Sequence, residues 1–562
     1  MEKTDQHKTK STSSVSQHVV EKKCGFNIMK FMGIISACMI ILSVIAIISI
    51  VYRQTPLDQL KQFAEARVID VNNRLKGGDA ASSEVVDEPK DKLLDGLLSA
   101  GFDENTCLSR YQSVLYRRHS SPHKPSSYLQ SRLRKYEDLH KQCGPYTESY
   151  NKTVEKLKSG QHSGTTECNY VIWIASSGLG NKILTLASAF LYALLTNRVL
   201  LVDRGKDVGD LFCEPFPDMS WLLPLDFPLK QYNKFNKQSP ESYGNMLKRN
   251  AISTATNTLP PFLYLHLNHD YDARDKLFFC DQDQSLFQKI PWLIMKSNEY
   301  FVPSLFLMPS FEQELTNLFP SKVTVFHHLG RYLFHPSNAV WGLITRYYGA
   351  YLANADERVG IQIRTFEPGN QPFQHVMDQV VACFLQEKLL PEVVNPQESI
   401  LTTSENQKSK AVLITSLNSG YFDKIRNMYW EKPTVTGEMI GVYQPSHEEV
   451  QQTDNNIHDR KAWAEIYLLS LSDVLITSTQ STFGYVAQSL GSLKPWILYK
   501  PKNHTTPNPP CHRAISMEPC FHAPPFYDCK AKTWADTGAV VPHVRHCEDV
   551  IWGVKLVEVD KL

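Results

Sequence analysis

The stretch CNYVIWIASSGLGNKILTLASAFLYALLTNRVLLVD, residues 168–203, decides the fold class. The apolar run CNYVIWIA (168–175) stops at the glycine-bearing turn SSGLGN. KILTLASAFLYALLTN then reads as a mostly buried helix, and RVLLVD (198–203) as a second apolar run. Short runs without polar alternation are what strands covered on both faces require, which is the condition of a parallel sheet flanked by helices. The unit is therefore β-turn-α-β. A second series begins at RVGIQIR (358–364) and continues through AVLITS (411–416), a helix around YFDKIRNMYW and IGVY (440–443). A helix around KAWAEIYLLSLS, DVLITS (473–478), a short helix from Thr482 and PWILY (495–499) complete it. Two such series predict an α/β protein with two Rossmann-like lobes facing across a cleft.

Outward from this core, residues 53 to about 100 mix Gly, Ala, Ser, Pro and charge with little apolar periodicity, as in GGDAASSEVVDEPKDK, and read as a linker. Before it, FMGIISACMIILSVIAIISIVY (31–52) runs 22 residues without a charge. As a helix it spans about 33 Å against roughly 30 Å of hydrocarbon, and it is too long and too far from the start for a cleaved signal peptide. An uncleaved signal anchor is expected. Basic residues tie across it, Lys22, Lys23 and Lys30 before and Arg53, Lys61 and Arg67 after, so orientation rests on the body's own chemistry. Ten of the 12 cysteines lie beyond residue 100, an even number suited to disulfides. The sequons at Asn151 and Asn503 are usable only in the secretory lumen. Both features favour a cytosolic tail and a luminal body.

The 562 residues are enough for several domain units, and 59 Lys+Arg against 58 Asp+Glu give no sign of a nucleic-acid surface. With 42% hydrophobic and 11% aromatic residues, wholesale disorder is excluded.

Four features carry candidate chemistry. Gly178 and Gly180 would let backbone N–H groups approach an anion at a helix start, although the turn matches neither a dinucleotide fingerprint nor a P-loop and would serve equally as a tight turn. Arg364 ends a predicted strand, where ligands of parallel sheets bind, and a guanidinium can hold two phosphate oxygens; a structural salt bridge is the alternative. Ser481 and Thr482 open a helix, able to cap it, to bind phosphate, or both. Asp281 and Asp283 form a D-x-D pair of the kind that holds Mn²⁺ or Mg²⁺ across a diphosphate. His327, His328 and His335, and the C-terminal Cys511, Cys520, Cys529 and Cys547 with His512, His522, His543 and His546, invite zinc. Their spacing offers no close C-x-x-C pair, so disulfides are preferred.

Several long segments together resemble one family, the plant galactoside α-1,2-fucosyltransferases, especially those acting on xyloglucan. They are LLDGLLSAGFDENTCLSRYQSV, SSGLGNKILTLASAFLYALLTNRVLLVDRGKDVGDLFCEPF, FHHLGRYLFHPSN, VGIQIRTF, STFGYVAQSLGSLKPWILYKP and MEPCFHAPPFYDCKAKT, in order from about residue 93. The resemblance implies a GT-B-like enzyme of the Golgi membrane, single-pass and type II, that moves fucose from GDP-β-L-fucose to O2 of a terminal galactose with inversion. GDP-fucose is a co-substrate, and neither cofactor nor metal is implied. The partners implied are a galactosylated polysaccharide and, by analogy, a second copy in a homodimer. On this pattern residues 1–30 are the cytosolic tail, 31–52 the anchor, 53–100 the stem and 101–350 the acceptor-side lobe. Residues 351–562 then hold the GDP-fucose lobe and the Cys-rich tail. Arg364 stands at the family's motif arginine, Ser481, Thr482 and Phe483 in the donor loop, and Gly178, Gly180 and Asn181 in the cleft-lining turn, with Asn298 also expected to line the cleft.

Two departures matter. Lys182 stands where the family turn GLGNR has arginine, keeping charge without the bidentate fork. In KSNEYFVPSL (296–305), Asn298 replaces the aspartate of the family's Thr-Asp-Asn, and the acidic residue is Glu299. Asn298 cannot take the acceptor's proton, which leaves Glu299, Asp281, Asp283 or a water relay as candidates. An arabinogalactan-directed enzyme, a metal-dependent transferase using Asp281 and Asp283, and an inactive carbohydrate-binding member are the competing readings.

Overall fold

The computed structural model describes residues 91–160, 167–205, 208–252, 259–365, 373–394, 407–452, 455–500 and 505–559. The chain divides into a unit Met1–Glu88, outside the described residues, and a unit Pro89–Leu562. The stretch 31–52 therefore lies outside the described residues, as does Asn503. Among the described residues no helix is long and apolar enough to cross a membrane.

Two sheets organise the second unit. Tyr170–Ile174 (β1), Val199–Val202 (β2), Phe262–His266 (β3) and Trp292–Lys296 (β4) form a parallel sheet of order β2-β1-β4-β3, with Ile172 level with Leu201 and Ile294. Every residue of β1 is buried, as its unbroken apolar run requires. The second sheet contains Glu357–Ile363 (β5), Ser409–Ser416 (β6), Met439–Tyr443 (β7), Val474–Ser478 (β8), Trp496–Leu498 (β9) and Cys511–Arg513 (β10), in the order β10-β9-β8-β5-β6-β7. All its pairs are parallel except the last, β9 with β10. Strand order reverses between β1 and β4 in one sheet and between β5 and β8 in the other. Such switch points open a crevice beyond the carboxyl ends of the strands.

The helix Leu179–Leu195 is buried along nearly all its length and packs on β1 and on the helix Thr482–Gly491. Its core also takes in the helices Val325–Leu333 and Asn456–Leu469, so one apolar interior runs from the first sheet to the helices of the second. A smaller core closes the other face of the second sheet around Val359, Ile361, Val380, Phe384 and Ile414.

The folded body starts before residue 101, where the stem was expected to end. Leu94, Leu97 and Leu98 are buried in the same core as Leu129 and Leu133. The Cys-rich tail returns to the first sheet: Cys520, Phe521, Cys547 and Leu556 join its core, and Cys529 bonds Cys280. All ten cysteines beyond residue 100 are paired, as Cys107–Cys213, Cys143–Cys168, Cys280–Cys529, Cys383–Cys511 and Cys520–Cys547. Disulfides thus prevail over zinc, and each closed loop stabilises by about 2–4 kcal/mol. His327, His328 and His335 are buried in the core; the first donates Nδ1–H to Ser489 O and accepts from Ser121 Oγ. Asn151 is exposed on the helix Glu148–Ser159.

Candidate active site

A cavity of about 390 Å³ opens at the two switch points. From the first sheet it is lined by Ser177, Gly178, Gly180, Asn181 and Lys182, and from the second by Arg364 and by Ser481, Thr482 and Phe483. Residues 180 positions and more apart in sequence thus meet at one place. Both helix starts face it: Gly178 precedes the helix Leu179–Leu195, and Ser481 caps Thr482–Gly491 by accepting Gly484 N–H. Free N–H groups and helix dipoles from two helices converge on the cavity, which favours an anion there.

The two starts touch closely enough that only glycine fits at 180. A Cβ there would lie 2.6 Å from Thr482 Oγ1, 2.7 Å from Thr482 C and 2.8 Å from Phe483 N. Thr482 Oγ1 donates to Asn181 Oδ1 (3.0 Å), and Asn181 Nδ2 donates to the Asn298 carbonyl (2.8 Å). Asn298 itself turns its amide to His269, accepting the backbone N–H and meeting ring Nδ1, so it braces the turn without lining the cavity. Ser177 and Gln480, one in each turn, hold left-handed backbone at φ 66° and 59°. Non-glycine residues in that region concentrate where surrounding structure over-determines them.

Arg364 leaves β5 with its backbone N–H on Ser478 Oγ (2.9 Å) and its guanidinium on Gln451 Oε1 (2.8 Å). Burial pushes its pKa below the ordinary arginine value, which still leaves it cationic at neutral pH. The Lys182 ammonium lies 3.6 Å from Asp459 Oδ2, both side chains almost wholly buried, and joins a helix of one sheet to a helix of the other. The far wall is polar, with Ser416, Ser446, Glu448, Lys461 and Glu465. Burial raises Glu465 to about 7 while it accepts the Ser446 N–H and O–H.

Glu299 does not line the cavity. Its buried carboxyl accepts the backbone N–H groups of His522 and Ala523, and burial raises its pKa from 4.5 to about 7. A group so enclosed organises the 520s segment and does not present an oxygen to a ligand. The sign of its pH dependence follows: a folded pKa above the unfolded one stabilises fully below about 4.5, and that contribution is lost as pH rises through about 7. Glu299→Gln keeps an acceptor without the charge. Its melting temperature is expected to gain on the parent's as pH goes from 5.5 to 8, in parallel calorimetric scans; a constant offset would contradict this.

Asp281 and Asp283 stand elsewhere. Both lie in the first turn of the helix Asp281–Phe287, and two residues apart is about 200° around a helix, so their side chains diverge. Asp281 accepts the N–H and O–H of Ser310, Asp283 accepts Tyr243 O–H at 2.6 Å, and neither borders the cavity. Among the described residues the one cluster with metal-ligand spacing is Cys520, Cys547 and Asp549, whose two sulfurs already form a disulfide.

Sequence reading missed Gln451, Asp459, Glu465 and His522 as cavity residues. Glu465 carried a signal, as a charge inside the apolar stretch AEIYLL; Gln451 lies in a loop with no periodicity to flag it.

Comparison with known proteins gives concordant results. The family model described as xyloglucan fucosyltransferase matches residues 67–530. A galactoside 2-alpha-L-fucosyltransferase of Pisum sativum is 61% identical over 536 residues, covering 95% of this chain and 94% of its own length. A protein of the same name from Arabidopsis thaliana is 59% identical over 535 residues, covering 94% and 93%. Among solved structures, an arginine-to-lysine variant of Arabidopsis thaliana FUT1 in complex with GDP superposes with a TM-score of 0.77 at 62% identity. That match covers 83% of this chain and all of the other.

Proposed function

Because the chain belongs to the xyloglucan fucosyltransferase family, we propose that it transfers L-fucose from GDP-β-L-fucose to O2 of a terminal galactose on xyloglucan, with inversion. The observation that carries this reading is the convergence of two helix starts and Arg364 on one cavity between the sheets. The GDP diphosphate sits there, against the N–H groups behind Gly178 and Ser481. The Arg364 guanidinium neutralises charge as it builds on the departing β-phosphate. The polar wall of Ser416, Ser446 and Glu465 is available to the nucleoside. The two mostly parallel sheets, with a cavity beyond their carboxyl ends, fit a GT-B-like arrangement.

Charge neutralisation by arginine leaves no step that requires Asp281 or Asp283. The double variant Asp281→Asn with Asp283→Asn is expected to keep GDP affinity and transfer within about twofold, since neither side chain borders the cavity, and EDTA to leave transfer intact. Loss of transfer in EDTA with recovery in Mn²⁺ would favour the metal-dependent reading.

Residues 31–52 anchor the enzyme as a type II protein, with the tail 1–30 in the cytosol and the body in the Golgi lumen. Five disulfides in the body support this topology, since they form and persist in oxidising compartments. The reaction is tested by supplying GDP-fucose carrying labelled fucose with galactosylated xyloglucan or with arabinogalactan. Label on xyloglucan supports the acceptor proposed, and label on arabinogalactan alone rejects it.

A further inference from the structure

His522 lines the cavity, on the tail segment that Cys520–Cys547 ties down. Three groups fix it. Its backbone N–H is donated to Glu299 Oε2 (3.2 Å), its Nε2 lies 3.1 Å from the Tyr485 hydroxyl, and that hydroxyl lies 2.5 Å from Asp549 Oδ2. Asp549 is itself held, accepting the N–H of the left-handed Gln480 at 2.9 Å. Tyr485 and Gln480 flank the donor-side turn at Ser481, so the network is continuous with the wall that receives the diphosphate.

Proton positions follow from the partners. Tyr485 has one hydrogen, and the carboxylate of Asp549 takes it; burial beside Asp549 pushes the phenol's pKa well up, so it stays protonated. The Tyr485 oxygen must then accept from His522 Nε2–H. That fixes the tautomer with the lone pair on Nδ1, to which no group among the described residues is bonded. A ring held by one nitrogen through a carboxylate-backed donor, in a residue that lines a ligand cavity, has the arrangement of a general base.

Resting on the fucosyl-transfer reading above, we infer that His522 Nδ1 is the general base that removes the proton from the galactose 2-hydroxyl. As the galactose O2 bonds fucose C1, its proton passes to Nδ1. The C1–O bond to GDP breaks with its electron pair leaving on the β-phosphate, where Arg364 faces the charge. Imidazolium formed at Nδ1 is stabilised through Nε2–H, Tyr485 and Asp549, and later releases its proton to solvent. Glu299 acts as a positioning residue, through the His522 main chain. This accounts for the base function without the carboxylate that Asn298 lacks.

The titratable and charged groups around His522 are Tyr485 on the helix Thr482–Gly491, Asp549 on the C-terminal segment, Glu299 behind its main chain and Arg364, which lines the same cavity. Burial lowers its pKa, with Asp549 opposing, so the ring is neutral and competent at neutral pH. Activity then falls on the acid side as Nδ1 protonates.

The test compares the parent, His522→Gln and Tyr485→Phe as full-length chains, reading GDP affinity by calorimetry and kcat and kcat/KM against pH. Glutamine keeps a donor to Tyr485 and lacks the basic nitrogen. His522→Gln is expected to lower kcat by about 10²–10³-fold with GDP affinity within about threefold, and to lose the acid limb of the profile. Tyr485→Phe removes the acceptor from Nε2–H, so its acid limb is expected at lower pH, which keeps the inference testable if His522→Gln does not fold. A His522→Gln chain with kcat within threefold and the limb retained, or a Tyr485→Phe profile superimposing on the parent's, overturns the base. A parent that binds GDP and transfers fucose to neither polysaccharide overturns the reaction assignment itself, and the base with it.

Discussion

Arg364→Lys is expected to lower kcat/KM for fucosyl transfer by about 10³-fold, the scale on which a charge-stabilising group at a departing phosphate acts. The substitution keeps the positive charge and removes the planar fork, which separates bidentate recognition of phosphate from mere potential. Arg364 follows β5 at the switch point, and its main chain is fixed independently by Ser478. The backbone therefore stays in place when the side chain changes, and thermal melting should coincide with the parent's. Steady-state kinetics with a parallel melt check both halves. A loss below tenfold would move the neutralisation of the leaving group to the helix starts.

Gly180→Ala is expected to weaken GDP binding at least tenfold and to cost about 1–3 kcal/mol of stability, the usual range for overpacking. The new methyl meets the backbone of Thr482 and Phe483 at 2.7 and 2.8 Å, and neither atom can swing aside as a side chain would. The two helix starts must separate, which stretches the Thr482–Asn181 bond and parts the N–H groups that converge on the anion. Gly178→Ala is the control. Its nearest neighbour would be the end of the flexible Gln451 side chain at 3.1 Å, and its φ of −71° suits any residue, so a milder loss is expected. Urea unfolding and GDP titration on both variants distinguish them; equal effects would show that the close approach at 180 is unimportant.

The strands easiest to read were those buried on both faces, since period and polarity then leave no alternative. β1, β2, β5, β6 and β8 lie within a residue or two of CNYVIWIA, RVLLVD, RVGIQIR, AVLITS and DVLITS. β3 and β4 were not legible, because FLYLH and WLIMK sit among loops with no helix of clear period between them. At the site, Arg364, Gly180 and Thr482 could be placed at strand ends and helix starts from local pattern. Their meeting could not, because it depends on how two sheets from different parts of the chain share one core. Asp281 and Asp283 show the converse. Two acidic residues look like a metal pair in one dimension, and a helix start sends them to Ser310 and Tyr243 instead. His522 was hidden by its company, since a histidine among cysteines first suggests zinc. Only the Cys520–Cys547 pairing releases it for another role.

The central claim, that arginine and two helix starts drive transfer of fucose to galactose, is tested most directly by one assay. Purified full-length protein is given GDP-fucose carrying labelled fucose and galactosylated xyloglucan in the presence of EDTA, and the linkage of the labelled product is determined. The account predicts labelled fucose α-linked to O2 of terminal galactose, at a rate that EDTA leaves unchanged. Protein that binds GDP and leaves xyloglucan unlabelled, or that labels it only when Mn²⁺ is restored, would contradict it.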